Sequence, residues 1–273
     1  MKLGLLHPGA MGVSVGEAMR SAGHEVLWIS DGRSAATCQR AQGGGFSDCG
    51  SLAALVESVE GIVSVCPPDQ ALTLARAVIS AGYAGVYLDA NAVSPDTARE
   101  IYAVIGEDFV DGGIVGPPAT QPGSTRLYLS GERAAQVATW FDGGYLDAQL
   151  VAGPPGSASA LKMCYAAYTK GTSALLLAIR ALAAAEGVEA GLLQEWSISQ
   201  PALTARSQGA ARGSAPKAWR FAGEMEEIAA TFAAQDLPDG FHLAARDVYR
   251  RLEAFKDQEE VSLESVLEAL RSH

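Results

Sequence analysis

Cysteine is scarce and unpatterned in this chain. Cys38, Cys49, Cys66 and Cys164 are the only four in 273 residues. None shows C-x-x-C spacing or clusters with histidine, which argues against a zinc site or a disulfide framework; no metal is expected. A reducing, cytoplasmic setting fits such usage. Positive charge is also in deficit, with 20 Lys and Arg against 31 Asp and Glu and a net charge of -11. A surface of that sign repels a phosphate backbone, so no nucleic-acid partner is expected. Long apolar runs are missing as well. The most hydrophobic segment is interrupted by Lys162, Lys170 and Arg180, so no membrane partner is expected either. The N-terminus enters a predicted strand at once, leaving no room for a signal peptide.

What is present is a globular composition, 48% hydrophobic and 19% charged, long enough for two domains that each bury a core. The first sixteen residues are the most informative. Lys2–Leu6 reads as a short buried strand, and His7-Pro8-Gly9-Ala10-Met11-Gly12 follows before an alanine-rich amphipathic segment. A sharp strand-to-helix turn built from small residues lets a pyrophosphate approach the unpaired N–H groups and positive dipole end of the helix. Gly9, Ala10, Met11 and Gly12 are therefore candidate dinucleotide-binding residues. His7 stands where such turns usually carry their first glycine, and an ordinary strand-to-helix turn fits the same residues, so support must come from farther along.

Val13–Ala22 is predicted as the first helix and 24–30 as the second strand, with Ser30 at its tip. The residue at that tip meets the adenosine ribose in a dinucleotide fold. Ser30, Arg33 and Ser34 place a guanidinium and two hydroxyls there, which suits a 2′-phosphate and favours NADP. A strand ending one residue later would make Asp31 a ribose acceptor and favour NAD. Helices are expected over 37–41 and 51–56, the second capped by Ser51, then a strand over 61–66 stopped by Pro67-Pro68. Cys66 and Pro67 would lie beside the nucleotide at the carboxyl edge of the sheet, and Asn91, after a strand over 85–89, at its nicotinamide end. A helix over 71–81 and strands within 108–118 and 125–130 complete the alternation of a Rossmann-type, doubly wound parallel sheet. Between the last two strands, Gly113, Val115 and Gly116 lie in a loop that offers backbone N–H groups to an anionic substrate, though a plain tight loop fits equally.

Composition changes at Gly153-Pro154-Pro155-Gly156, which divides the chain into an NAD(P)-binding domain, 1–155, and an all-helical substrate and dimerisation domain, 156–273. Residues 157–186 read as one long helix, apolar around much of its circumference, which needs cover from a subunit partner; a homodimer is expected. Phe241, Ala245, Val248, Leu252 and Phe255 form a predicted buried stripe. Asp257 to Glu260 marks a polar break, before a last helix bearing Val261, Val266, Leu267 and Leu270.

Taken in order, the chain resembles the β-hydroxyacid dehydrogenase family, relatives of 6-phosphogluconate dehydrogenase, over its whole length. The likeness is carried by Gly9-Ala10-Met11-Gly12, by Asp89 with Ser94-Pro95, by Asp111-Gly112-Gly113-Ile114-Val115-Gly116, and by Gly156 followed by Lys162. The resemblance implies a lysine that acts as general acid and base, here Lys162. The His-Pro-Gly turn and the Phe221–Ala229 run look like a poorly characterised branch with its own C-terminal helical domain. Departures accompany the matches. The family's substrate-loop serine falls on Val115, its asparagine one turn after the lysine falls on Ala166, and its Lys-Asp-Leu segment corresponds to Gly223-Glu224-Met225.

The expected chemistry is hydride transfer between NADP or NAD and a small hydroxy acid or carbonyl substrate. Lys162 is the expected proton donor, because charge builds on oxygen as the hydride arrives. Tyr165, three residues on, is a second catalytic candidate, and Lys170 another cation near that face. An imine reductase on the same architecture and a nucleotide-binding sensor without catalysis are the alternatives.

Overall fold

The computed structural model describes residues 1–256 and 258–272. Asp257, the first residue of the expected polar break, lies outside them. The chain forms two compact units, Met1–Met163 and Cys164 onward.

The first unit alternates strands and helices: β1 (Lys2–Leu6), α1 (Ala10–Ser21), β2 (Glu25–Trp28), α2 (Ala35–Gly43), β3 (Ser47–Asp48), α3 (Leu52–Ser58), β4 (Gly61–Ser64), α4 (Pro68–Ser80), β5 (Val86–Asp89), α5 (Pro95–Ile105), β6 (Phe109–Val115), β7 (Thr125–Ser130), α6 (Ala134–Ala138) and β8 (Leu146–Leu150). These strands make one sheet in the order β3-β2-β1-β4-β5-β6-β7-β8. β1 pairs in parallel with β2 (Leu3 opposite Val26) and with β4 (Leu5 opposite Val63), so the chain reverses its direction of winding between β1 and β4. Strands β4, β5 and β6 are buried throughout, as parallel strands sandwiched between helical layers must be. Two apolar clusters cover the sheet. One contains Leu3, Leu5, Trp28, Val63 and Trp140, and the other Leu6, Ile62, Tyr87, Ile101 and Phe109.

The sheet is the expected doubly wound, parallel one except at a single pairing. β7 runs antiparallel to β6, with Asp111 opposite Ser130 and Gly113 opposite Tyr128. The connection from Gly116 to Ser124 is shorter than the dozen or so residues a parallel crossover requires, so the chain turns back on itself. Helix α1 starts earlier than expected, at Ala10 directly after Gly9. Pro68 opens α4 at its first turn, where its missing N–H costs nothing, as well as ending the strand before it.

The second unit is helical. It contains α7 (Ser157–Ala185) beyond its first turns, α8 (Glu189–Ser199), α9 (Leu203–Ser214), α10 (Ala218–Ala233), α11 (Gly240–Arg250) and α12 (Leu263–Arg271). The buried stripe on α11 is rotated from its expected register: His242, Ala245, Tyr249 and Leu252 are buried, whereas Phe241 is 57% exposed. The phenol of Tyr249 explains the shift, because it donates to the Lys170 carbonyl at 2.8 Å and draws its own face inward. Lys170 itself pairs with Glu224 at 2.7 Å and lies over the Phe221 ring, a neutralised pair largely shut away from water. Arg180, 5% exposed, is satisfied by Glu189 (3.1 and 2.5 Å) and by Ser207 (2.8 Å), tying α7 to α8 and α9. On α12, Val266, Leu267 and Leu270 are buried as expected.

Candidate functional site

Because β1, β4, β5 and β6 run the same way, their carboxyl ends share one edge of the sheet, and the reversal between β1 and β4 opens a crevice there. The turn after β1 occupies that position. His7 adopts a left-handed φ of 66°. Its carbonyl accepts the Gly9 N–H at 2.7 Å, and it lies so close under Gly12 that a Cβ there would collide with it. Gly9, by contrast, faces open space. The first-turn N–H groups of Ala10, Met11 and Gly12 are those an α-helix leaves unpaired, and the α1 terminus has no side-chain cap to cover them. Such a cradle fits a phosphate.

Basic groups gather over it. Burial and the Arg33 guanidinium lower the His7 imidazole to about 4, so the charge of Arg33 is felt at the turn. Arg33 is also felt by the Cys66 thiol at the end of β4, and its buried Nε finds no protein partner. A guanidinium short of an acceptor is what a bound anion would satisfy. Arg40, which the sequence reading missed, donates from Nε to the Pro8 carbonyl at 3.4 Å and from Nη2 to Thr37 Oγ1 at 3.0 Å. The signal for it was the i, i+3 spacing of Thr37 and Arg40 on the helix that follows Arg33. Ser34 caps that helix, its hydroxyl accepting the Thr37 N–H at 3.3 Å and meeting Thr37 Oγ1 at 3.1 Å. The Ser30 N–H is engaged by Asp48 at 3.1 Å.

The next strand ends are braced rather than open. Asn91 is 3% exposed and its side chain is spent internally. Its Oδ1 accepts the Cys66 N–H at 2.5 Å, while Nδ2 donates to Asp89 at 2.7 Å and to Ser64 at 3.2 Å. Asn91, expected at the nicotinamide end, thus forms a clamp that fixes Cys66, next to the exposed Pro67. Burial raises the Asp89 carboxyl to about 7 despite hydrogen bonds from Asn91, and raises the Cys66 thiol to about 12.

Asp111 organises the far side. Its Oδ2 accepts from Ser130 Oγ (2.9 Å), the Gly156 N–H (2.9 Å) and the Ser159 N–H (3.0 Å), and its Oδ1 from Ser159 Oγ (2.5 Å). A buried carboxylate thereby seats the start of α7 on β6. Gly113 permits the close approach, since a Cβ there would come within 2.9 Å of the Ala158 carbonyl and of Lys162 Cβ. The result is that Lys162 Nζ donates to the Ile114 carbonyl, at the carboxyl edge. Gly113, Val115 and Gly116 are the residues expected to offer backbone N–H groups to a substrate. Gly113 is a packing contact, Val115 is 2% exposed, and Gly116 holds a φ of 130° against Ser124 and Thr125. Tyr165 belongs to the helical unit and is 48% exposed.

Residues 183–252 match a family model described as a domain of unknown function, DUF1932. An uncharacterized 28.5 kDa protein of Methanothermus fervidus is 30% identical over 141 residues, 51% of this chain and 54% of that relative, so the match spans about half the relative's length. Among solved structures, a conserved protein of unknown function, described as structurally similar to 3-hydroxyacid dehydrogenases, is 27% identical with a TM-score of 0.68, covering 93% of this chain and 99% of that one. The 3-hydroxyisobutyrate dehydrogenase of Mycobacterium tuberculosis shares the fold at 18% identity, with a TM-score of 0.70 and coverage of 99% of both chains. A reductive aminase from Aspergillus terreus, solved with NADPH and ethyl levulinate, does so at 18%, with a TM-score of 0.59 over 99% of both. The chain thus has the architecture of the 3-hydroxyacid dehydrogenase-like proteins and carries, over 183–252, the helical domain in which such proteins end.

Proposed function

We propose that the protein is an NADP-linked oxidoreductase that transfers a hydride to or from a small hydroxy acid or its carbonyl form, with Lys162 as general acid and base. NAD is the alternative coenzyme. The observation that carries the reading is the placement of Lys162 Nζ, held by the Ile114 carbonyl on the same edge of the sheet as the glycine turn. β6 lies three strand spacings from β1, roughly 14 Å, along the edge that carries the turn. The residues fit such a group. Ala10, Met11 and Gly12 would meet the pyrophosphate, and Arg33, whose Nε has no hydrogen-bond partner, would meet the 2′-phosphate with Arg40 and the Ser30 to Ser34 segment. When bound, the nicotinamide supplies or accepts the hydride.

This chain's own residues supply the proton and the frame. In reduction, Nζ of Lys162 gives a proton to the substrate oxygen as negative charge builds there; in oxidation it takes that proton back. The Ile114 carbonyl accepts a hydrogen bond from the amine, and Asp111 holds the helix that carries it. Tyr165 is the second candidate for proton transfer, tested by Tyr165→Phe. A small-molecule substrate, a cytoplasmic location and a homodimer belong to the same proposal.

Imine reduction is the second reading. It is favoured by Val115 and Ala166, 2% and 0% exposed, which fill with buried apolar side chains the two positions where the resembled family places serine and asparagine.

A thermal-shift comparison of NADPH with NADH, followed by carbonyl and imine panels, tests both readings. NADPH is expected to raise the Tm more than NADH, and Lys162→Met to lower kcat by about 10² to 10⁴ while leaving the NADPH shift in place. Binding of neither coenzyme overturns the proposal. Tight binding with no turnover, unaltered by Lys162→Met, would make the protein a sensor.

A further inference from the structure

We propose that His7 is a coenzyme-contact residue: its imidazole, beside Arg33 over the opening turn, hydrogen-bonds a phosphate oxygen of the dinucleotide. The inference rests on the coenzyme reading above and deepens it by adding a residue at a position that ordinarily offers no side chain.

The first observation is conformational. His7 holds a φ of 66° at a place where a glycine would sit without strain, and Asp236 is the other non-glycine residue with positive φ among the described residues. The backbone cannot relax out of this state. The His7 carbonyl is pinned by the Gly9 N–H at 2.7 Å and wedged under Gly12. A side chain kept at such a point has a use that a hydrogen atom would not serve.

The second is an unmet demand. His7 Nδ1 is buried with no protein partner, and so is Arg33 Nε. The charge of Arg33 bears on the imidazole. Buried polar atoms are almost always partnered, and two unpartnered nitrogens in segments that adjoin the uncapped start of α1 are matched by an anion with several oxygens. Phosphate is favoured over the adenine ring because an anion answers both the unpartnered Arg33 Nε and the uncapped first-turn N–H groups of α1.

The charge state follows. Burial and Arg33 keep the imidazole neutral at pH 7, so it offers one N–H. The charged and titratable groups around it are Arg33, with Asp31 and Cys66 beyond that guanidinium, and Arg40 at the Pro8 carbonyl. A phosphate brought among them opposes Arg33 and favours the protonated ring. Binding therefore takes up a proton as the pH falls, and the His7 contribution to affinity grows on the acid side of neutrality.

The test is calorimetry of NADP+ binding to the full-length wild type, His7→Gly and His7→Asn at pH 7 and 5.5. Glycine removes both strain and contact. The expected result is a Tm no lower than wild type, with affinity weaker by about tenfold. Asparagine tolerates the left-handed backbone and keeps an N–H donor, so it should fall between the two. The gap between wild type and His7→Gly should widen at pH 5.5, which a purely structural role would not produce. A Kd for His7→Gly within twofold of wild type at both pH values overturns the inference and leaves the coenzyme reading standing. A wild-type isotherm showing no binding of NADP+ or NAD+ removes both.

Discussion

Asp111 grips Ser159 with both carboxylate oxygens, Oδ1 taking the hydroxyl at 2.5 Å and Oδ2 the backbone N–H at 3.0 Å. Oδ2 also takes the Gly156 N–H, and Ser130, which donates to that oxygen, accepts the Ala158 N–H at 3.0 Å. The first turn of α7 is thus satisfied from the sheet instead of by a cap of its own, and Lys162 sits one turn farther on.

Asp111→Asn removes the negative charge from the positive end of α7 and turns an NH₂ towards N–H donors. The expected loss is about 2–4 kcal/mol, seen as a fall in Tm of roughly 5–10 °C at about 2–4 °C per kcal/mol. Ser159→Ala, which deletes one of the four hydrogen bonds, should cost about 1 kcal/mol. An unchanged melting curve for Asp111→Asn would show that the helix start is held some other way.

Arg40 is expected to separate the two coenzymes. Its guanidinium leans from Thr37 to the Pro8 carbonyl, beside the turn that Arg33 overlooks. If it meets the 2′-phosphate, Arg40→Ala should weaken NADPH by roughly 10- to 100-fold, the worth of a charge-assisted hydrogen bond, and leave NADH within about twofold. Arg40→Lys should recover only part, because an ammonium lacks the planar fork. Equal weakening of both coenzymes would assign Arg40 to the turn alone, through its Pro8 contact.

The contrast between these residues shows what was legible in the sequence. Short apolar runs alternating with helix patterns announced the wound sheet, because strand burial on both faces is written in neighbouring residues. The direction of β7 was not, since a buried strand reads the same forwards and backwards and only the length of the turn decides. Ser34 was legible as a polar group at the tip of β2, yet its role as a helix cap depends on Thr37 lying within reach of it. Arg40 and Asp111 were not legible as site residues, because their partners lie 32 and 48 positions away. Asn91 was placed correctly at the sheet edge; that its amide is consumed by Ser64, Asp89 and Cys66 is settled by packing.

Asp89 gives a pH dependence with a definite sign. Its carboxyl is buried, and desolvation raises it from the ordinary 3.8 to about 7. The folded state then holds a proton that the unfolded chain releases. Stability from this group is complete below the unfolded value and is lost as the pH climbs through about 7. His7, lowered to about 4, works the other way between that value and its ordinary 6.5, so the raw profile mixes both. The informative quantity is the difference in Tm between wild type and Asp89→Asn. The variant should lose less between pH 5 and 8 than the wild type does. Parallel profiles would mean that hydrogen bonds from Asn91 keep the Asp89 carboxylate charged throughout.

A last prediction concerns α7 within the helical unit. Tyr168, Leu175 and Leu182 recur at seven-residue spacing and are 64%, 43% and 62% exposed. Side chains two turns apart line one side of a helix, and large apolar groups repeated that way in water favour a partner helix. A second copy of the chain supplies an identical stripe about a two-fold axis, which makes the contact self-complementary. Wild type at micromolar concentration should therefore sediment at twice the 28.3 kDa chain mass, and Leu175→Glu combined with Leu182→Glu at 28.3 kDa. Like charges brought together in that seam cost more than the lost apolar contact alone, so the double variant should dissociate without unfolding, because both side chains point to solvent in the single chain. A wild type that sediments only at the single-chain mass would show that the stripe has no copy of itself to meet.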